Sequence, residues 1–329
     1  MNKMKTLTAD ELLEKVNLWL NQVTRARKPD TLYDPIRYAL SMGGKRIRPV
    51  LLLLSYSLFG DDPESVMPSA CAIETYHNYT LLHDDLMDKA DLRRGHQTVH
   101  RKWGANTAIL SGDSMLVLAY RLIAECDPSK LKPVLDLFTE TALEIGEGQQ
   151  LDMDFESRGD VREDEYIEMI RLKTSVLLAC ATKMGAILAG ATDADADNLY
   201  RFGEQIGLAF QLQDDFLDVY GDPEVFGKAI GGDIISNKKT YMLINAFNLA
   251  TPSQLDELIR WTSATTFDPQ DKIAAVTAIY TEIGVDKLAQ ERIKHYFDQS
   301  RTYLSAVSVP EERKAELWAY AERMMKRNR

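Results

Sequence analysis

Two short stretches, "HDDLMD" at 83–88 and "QDDFLD" at 213–218, carry the residues best suited to chemistry. If the first ends a helix, Asp84 and Asp88 stand one turn apart on one face, about 6 Å along the axis, with Asp85 alongside. Like charges at that spacing repel and weaken the helix. A cation between them reverses the sign, and two hard-oxygen ligands with room left for water and phosphate suit Mg2+. Taken alone, the stretch fits a solvated acidic helix end equally well. The second stretch tips the balance: Asp214, Asp215 and Asp218 repeat the DDxxD spacing in a strongly apolar segment with few other polar faces to offer. Two such helices facing each other would make a metal cage.

Basic residues supply the complement. Lys45, Arg46 and Arg48 sit in "GGKRIRP", Arg93 and Arg94 follow the first motif, and Lys173, Lys228 and Lys238 lie in "RLKTS", "FGKAIGGD" and "NKKT". Guanidinium groups grip phosphate oxygens bidentately, and lysine acts as a point charge. Carboxylate-held Mg2+ together with several bases suits a diphosphate, whose charge is too high for either set alone.

The elements that must hold these groups read as helices. Apolar residues recur at three and four spacings in "LLEKVNLWLNQV", "PVLDLFTETALEI" and "DEYIEMIRLKTSVLLACATKMGAIL", and sustained two-residue alternation is missing. Breakers such as "MGGK", "FGDDPES", "CDPSK", "ESRGD" and "TPSQ" separate them, mostly as short turns between antiparallel helices. Thr8 with Glu11 reads as a capping box at the first helix. Met115, Met153 and Met169 read as packing residues.

Composition narrows the class. The chain has 329 residues, 45% hydrophobic and 27% charged, enough for a large buried core. A net charge of -11 makes its surface repulsive to nucleic acid and anionic lipid, so an anionic substrate needs local positive charge or metal. Cys71, Cys126 and Cys180 have no CxxC spacing and fit reduced thiols in a cytoplasmic protein. The longest apolar run, "PVLLLLSYSLFG", is too short to span a bilayer, and no transmembrane segment is expected.

From "GGKRIRP" through "YHNYTLLHDDLMDKADLRRG", "GEGQQLD", "RLKTS" and "AFQLQDDFLDVYGD" to "FGKAIGGDIISNKKT", the chain resembles the trans-isoprenyl diphosphate synthases of the polyprenyl synthetase family, in both order and spacing. The resemblance implies an all-α helical bundle of the isoprenoid-synthase type around a deep central apolar cavity, one domain over residues 1–329, and a homodimer. It implies a prenyltransferase that joins isopentenyl diphosphate to an allylic diphosphate. Asp84 and Asp88 would ligate two Mg2+ ions and Asp214 a third, with Asp85, Asp215 and Asp218 supporting through water. Arg93, Lys173 and Lys228 would hold the allylic diphosphate, and Lys45, Arg48, His77 and Arg94 that of isopentenyl diphosphate. Gln211 and Thr174 would lie near the reacting carbons, and Lys238 would help close over the leaving group. Lys239 beside it leaves open which amine does so.

Product length in the family is read just before the first aspartate motif, where Tyr79 and Thr80 stand. An aromatic at that place with no insertion in the motif resembles short-chain members and points to a C20 product, with C15 next. Spacing puts Tyr79 about 140° around the helix from Asp84, so Tyr76 is a second candidate for the cavity floor. His77 and His83 also allow a metal-dependent phosphohydrolase, which leaves the second aspartate motif and the bases without a role. A longer-chain polyprenyl diphosphate synthase and a noncatalytic regulatory subunit are the remaining alternatives, although both aspartate motifs are intact. The basic end "RMMKRNR" is read as complementing a helix dipole rather than as a lid.

Overall fold

The computed structural model describes residues 7–222 and 230–326. In chain order its helices are α1 (Ala9–Leu20), α2 (Asp30–Ser41), α3 (Ile47–Tyr56), α4 (Met67–Met87), α5 (Val99–Trp103), α6 (Ala105–Ile123), α7 (Pro128–Ser157) and α8 (Glu163–Ile170). There follow α9 (Val176–Leu188), α10 (Asp193–Tyr220), α11 (Gly232–Ile235), α12 (Tyr241–Leu249), α13 (Pro252–Ser263), α14 (Pro269–Ile283), α15 (Val285–Ala306) and α16 (Glu311–Met325). A π-helical turn, Arg171–Ser175, joins α8 to α9. The all-α reading is right, with one exception among the described residues: β1 (Leu92–Arg93) pairs antiparallel with β2 (His96–Gln97). Two residues per strand are too few to show as alternation in sequence. No described helix is long and apolar enough to cross a membrane.

Helix starts follow local chemistry. At α1, the Thr8 side chain accepts from the Glu11 N–H while the Glu11 carboxylate accepts from the Thr8 N–H at 2.8 Å, the expected capping box. Leu12, Val16 and Leu20, four residues apart, then form its buried stripe. Thr251 and Gln254 repeat the box at α13, with Pro252 in the first turn, where its missing N–H has no partner to lose. By contrast, α3 carries the apolar run Val50–Leu54 after Arg48 and is buried from Pro49 to Ser55.

The chain divides into two compact units, whose boundaries fall inside α7, α9, α10 and α16. The first comprises Met1–Glu140, Cys180–Tyr200 and Val307–Leu317. In it α4 packs along α6, flanked by α1, α2 and α3, and Val50–Leu54 meet Ala70–Ile73 in the core. The second comprises Thr141–Ala179, Arg201–Ala306 and Trp318–Arg329. Its core gathers Tyr166, Leu212, Tyr241, Leu258 and Tyr280, with α12 against α8, α14 and α15, and α11 against α14.

Two glycines let the second unit's helices close on the π turn. A Cβ at Gly148 of α7 would lie 2.3 Å from the Lys173 amide nitrogen, and one at Gly207 of α10 would lie 2.5 Å from Ser175 Cα. Both approaches are open to glycine alone. Met115 and Met169 are buried as expected, but Met153 is 44% exposed, because α7 turns the face carrying Leu143, Gln150 and Met153 outward.

Candidate active site

In the first unit the aspartate motif closes α4. Asp88 is the C-cap residue, its N–H donating to the Asp84 carbonyl at 2.9 Å, so the two carboxylates stand one turn apart as their spacing implied. Asp85, 5% exposed, is gripped by Arg93. Burial pushes the Asp85 carboxyl up, and Arg93 offsets only part of that.

Arg93 reaches Asp85 because of the turn that follows it. Arg94 and Gly95 have φ of 52° and 76°, both left-handed, as the two-residue loop of a type I′ hairpin requires. The hairpin separates the adjacent arginines: Arg93 returns to α4, while Arg94 Nη1 donates to the Gly43 carbonyl in the "GGKR" loop.

That loop is pinned by Arg46. Its Nη1 donates to Glu74 Oε1 at 2.7 Å, its Nε to Asn17 Oδ1 at 3.1 Å, and its Nη2 to the Leu40 carbonyl. Arg46 is 4% exposed and Glu74 2%, so this pair is structural, while the neighbouring Lys45 is exposed. Arg48 Nη1 lies 3.2 Å from His77 Nε2, and since guanidinium only donates, Nε2 accepts and the ring proton sits on Nδ1. Burial lowers Arg48 to about 10. Burial, and then the charge of Arg48, hold His77 well below its ordinary range, so the imidazole is neutral.

The rings before the motif stack in order. Tyr79, half-buried, lies 5.4 Å from Tyr76 and 4.8 Å from His83, and Tyr76 sits behind it against Phe138. Thr80 Oγ1 turns back to the His77 carbonyl at 2.8 Å. His83 Nε2 lies 3.2 Å from the Ile109 carbonyl on α6, and since a carbonyl only accepts, Nε2 carries the proton.

In the second unit, Lys173 Nζ donates to Asp152 Oδ2 at 2.6 Å. Burial raises Asp152, but Lys238 and Lys173 outweigh it and hold the carboxyl below its usual range. Thr174 Oγ1 donates to Gln211 Oε1 at 3.0 Å, and Gln211 Nε2 to Asp215 Oδ1 at 3.1 Å. The other oxygen of Asp215 accepts from the buried Tyr166 hydroxyl. Burial, followed by the charge of Asp233, pushes Asp215 up to about 7. Asp214 and Asp218 are one helical turn apart on α10. Asp218 Oδ2 accepts from the Asp233 N–H at 2.9 Å, at the start of α11.

Of the two adjacent lysines, Lys238 bears on Asp152 and Asp215, whereas Lys239 Nζ turns to the Asn237 carbonyl at 3.4 Å. Lys228 lies outside the described residues, as does the end of "RMMKRNR" beyond Lys326, whose Nζ reaches back to Glu322. Among the described residues no three His, Cys, Asp or Glu side chains converge as a ready-made metal cluster.

Residues 29–280 match the family model described as polyprenyl synthetase. The chain belongs to that family. It is 44% identical over 234 residues to a geranylgeranyl diphosphate synthase of Methanosarcina mazei, covering 70% of this chain and 72% of the relative. It is 39% identical over 254 residues to a geranylfarnesyl diphosphate synthase of Natronomonas pharaonis, covering 72% and 74%. A crystal structure of a geranylgeranyl pyrophosphate synthase superposes with a TM-score of 0.94 at 42% identity, covering 98% of this chain and all of that one.

The part matched to polyprenyl synthetases spans every candidate site residue from Lys45 to Lys238. Three residues escaped the sequence reading: Asp152, Tyr166 and Asp233. Asp152 carried a usable signal, since it stands one turn after Gly148 inside "GEGQQLD". Tyr166 carried none, being one aromatic among many on an apolar face.

Proposed function

We propose that this prenyltransferase, acting as one catalytic domain over residues 1–329, condenses isopentenyl diphosphate with an allylic diphosphate to give a short-chain C20 prenyl diphosphate. What carries the reading is that each unit holds a DDxxD motif beside bases. Arg93 lies on Asp85 in the first, and Lys173 and Lys238 lie around Asp152 and Asp215 in the second. The C20 length follows the relatives named for geranylgeranyl diphosphate; the geranylfarnesyl relative supports a longer product as the second reading.

The donors fit Mg2+, which takes hard oxygens, uses one or two carboxylates and completes its shell with water and phosphate. Asp84, Asp88 and Asp214 would hold three ions. Asp215 and Asp218 are already engaged by Tyr166, Gln211 and the Asp233 N–H, which suits supporting carboxylates with Asp85 as their counterpart. Bound there, the metal supplies positive charge to the oxygens of the leaving diphosphate.

The chain's own groups do the rest. Arg93, Lys173 and Lys228 hold the allylic diphosphate, and Lys238 offsets the charge that develops as the C–O bond breaks. Lys45, Arg48, His77 and Arg94 hold isopentenyl diphosphate. Among the described residues Arg48 Nε is a buried donor without an acceptor, a group that an anion satisfies. Gln211 and Thr174, bonded to each other, stand beside the reacting carbons. Apolar surroundings keep water from the allylic cation until the double bond of isopentenyl diphosphate attacks. The departed diphosphate takes the proton then lost, so no side-chain nucleophile is needed.

A second copy of the chain would cover the exposed face of α6, where Ile109, Leu110 and Val117 are 45%, 58% and 68% exposed. Cytoplasmic residence is consistent with three free cysteines.

The deciding experiment is product analysis by mass spectrometry, with Mg2+, isopentenyl diphosphate and, separately, dimethylallyl, geranyl or farnesyl diphosphate. A C20 major product is expected, and C15 or longer would revise the length alone. No elongation by folded protein would overturn the synthase reading. Release of phosphate without carbon-carbon bond formation would then point to the phosphohydrolase, and no turnover at all to a regulatory subunit.

A further inference from the structure

Lys272, on α14, is fully buried at 0% exposure, although lysine is among the residues least often found so. Its Nζ donates to Asn237 Oδ1 at 2.7 Å and to the Ile235 carbonyl at 3.2 Å, and lies 4.3 Å from the centre of the Phe267 ring. All three partners are neutral. An ammonium placed so is costly, and the cost is offset only if those partners need holding.

Asn237 needs holding. Its φ of 54° is left-handed, and both ends of its side-chain amide are tied, Oδ1 to Lys272 and Nδ2 to the Thr262 carbonyl at 3.0 Å. The next residue is Lys238, whose N–H donates to the Asp233 carbonyl at 2.9 Å and whose own carbonyl accepts from Thr240 at 2.8 Å. The segment from Gly231 to Thr240 is therefore anchored twice. At its start the Gly231 N–H donates to the Asp218 carbonyl and the Asp233 N–H to the Asp218 carboxylate. At its end stands Lys272.

We propose that Lys272 is a positioning residue, which by clamping Asn237 in its left-handed turn aims the Lys238 amine at the Asp152 and Asp215 side of the second unit, where a diphosphate is bound. The role assigned to that diphosphate rests on the function proposed above. Lys272 itself touches no substrate; it acts through Asn237 on Lys238.

The test is a mutant cycle read in two ways. Lys272→Met, Lys238→Ala and the double variant are compared with wild type in kcat and KM for each substrate, and in calorimetric affinity for inorganic diphosphate with Mg2+. Lys272→Met is expected to lower kcat about tenfold to 10²-fold, the scale of a misplaced group, with KM for isopentenyl diphosphate within about twofold. The double variant is expected to be no slower and to bind diphosphate no more weakly than Lys238→Ala, because both changes remove one interaction. Asn237→Gly, which keeps the left-handed backbone and removes the amide, should reproduce Lys272→Met, and it carries the cycle if Lys272→Met does not fold. Wild-type kcat in the single variants, or effects that multiply with Lys238→Ala, would overturn the proposal while leaving the synthase reading intact. Coupling seen in diphosphate binding without elongation by the wild type would uphold the proposal and sink that reading. Absence of diphosphate binding by folded wild type would overturn both.

Discussion

Arg93 closes on both oxygens of Asp85, with Nε donating at 2.8 and 2.9 Å and Nη2 at 2.8 Å. The middle carboxylate of the first motif thus serves the arginine more directly than it serves a metal. Asp85→Asn keeps the shape and weakens these charge-assisted bonds, so Arg93 loses its fixed direction. Expected is a fall in kcat of about tenfold to 10²-fold, with KM for isopentenyl diphosphate little changed. Kinetics against each substrate in turn checks the split.

Asp84→Asn and Asp214→Asn each remove a charge proposed to hold Mg2+. Each is expected to lower kcat at least about 10²-fold and to raise the Mg2+ concentration giving half-maximal rate. Thermal melts should show both variants folded. A variant with wild-type Mg2+ dependence would take that aspartate out of the metal site.

Tyr79 stands between His83 and Tyr76, with Tyr76 fixed behind it against Phe138. Tyr79→Ala is expected to lengthen the major product by at least one five-carbon unit, at a stability cost of about 1–3 kcal/mol for a half-buried ring. Mass spectrometry of the products decides; an unchanged distribution means that Tyr79 is not the floor.

His77 stays neutral in the folded chain because burial and Arg48 depress its pKa. Below about pH 6.5 the unfolded chain binds a proton there that the native chain does not, so this residue makes stability rise with pH in that range and fall as the solution is acidified. The loss approaches about 1.4 kcal/mol per pH unit. His77→Gln should flatten the decline in melting temperature between pH 7 and pH 5 relative to wild type; parallel curves would refute the assignment.

Gly148→Ala places a methyl group 2.3 Å from the Lys173 amide nitrogen. Either α7 or the π turn must move, at about 1–3 kcal/mol, and Lys173 moves with it. Loss of kcat together with lowered melting temperature is expected, whereas Gly146→Ala, whose Cβ meets nothing within 4 Å, is the matched control.

Much of this arrangement was legible in the residues themselves. Thr8 with Glu11 announced the start of α1, and the spacing of Asp84 and Asp88 put their carboxylates one turn apart once that stretch was taken as helical, whereas the left-handed turn that parts Arg93 from Arg94 showed only in the structure. What else escaped shares one physical cause, partnership across distance. Arg46 looked like one more base among Lys45 and Arg48 until Glu74, far along the chain, proved to be its partner. Tyr166 meets Asp215, and Asp152 meets Lys173, through contacts that no local period encodes. Lys238 and Lys239 were indistinguishable as neighbours and were separated only by where their amines point.

The π-helical turn at Arg171–Ser175 has a consequence for how this chain can vary. Tyr166 and Thr174 are eight residues apart, which in a regular α-helix sets them about 80° out of phase. The wider turn takes up part of that angle, and both side chains reach α10, Tyr166 at Asp215 and Thr174 at Gln211. A descendant that lost Arg171 or Leu172 would set Tyr166 and Thr174 seven residues apart, about 20° out of phase in a regular α-helix, so both would still face α10. What the shorter helix would give up is the fit of the wide turn against Gly148 and Gly207, whose bare backbones approach Lys173 and Ser175.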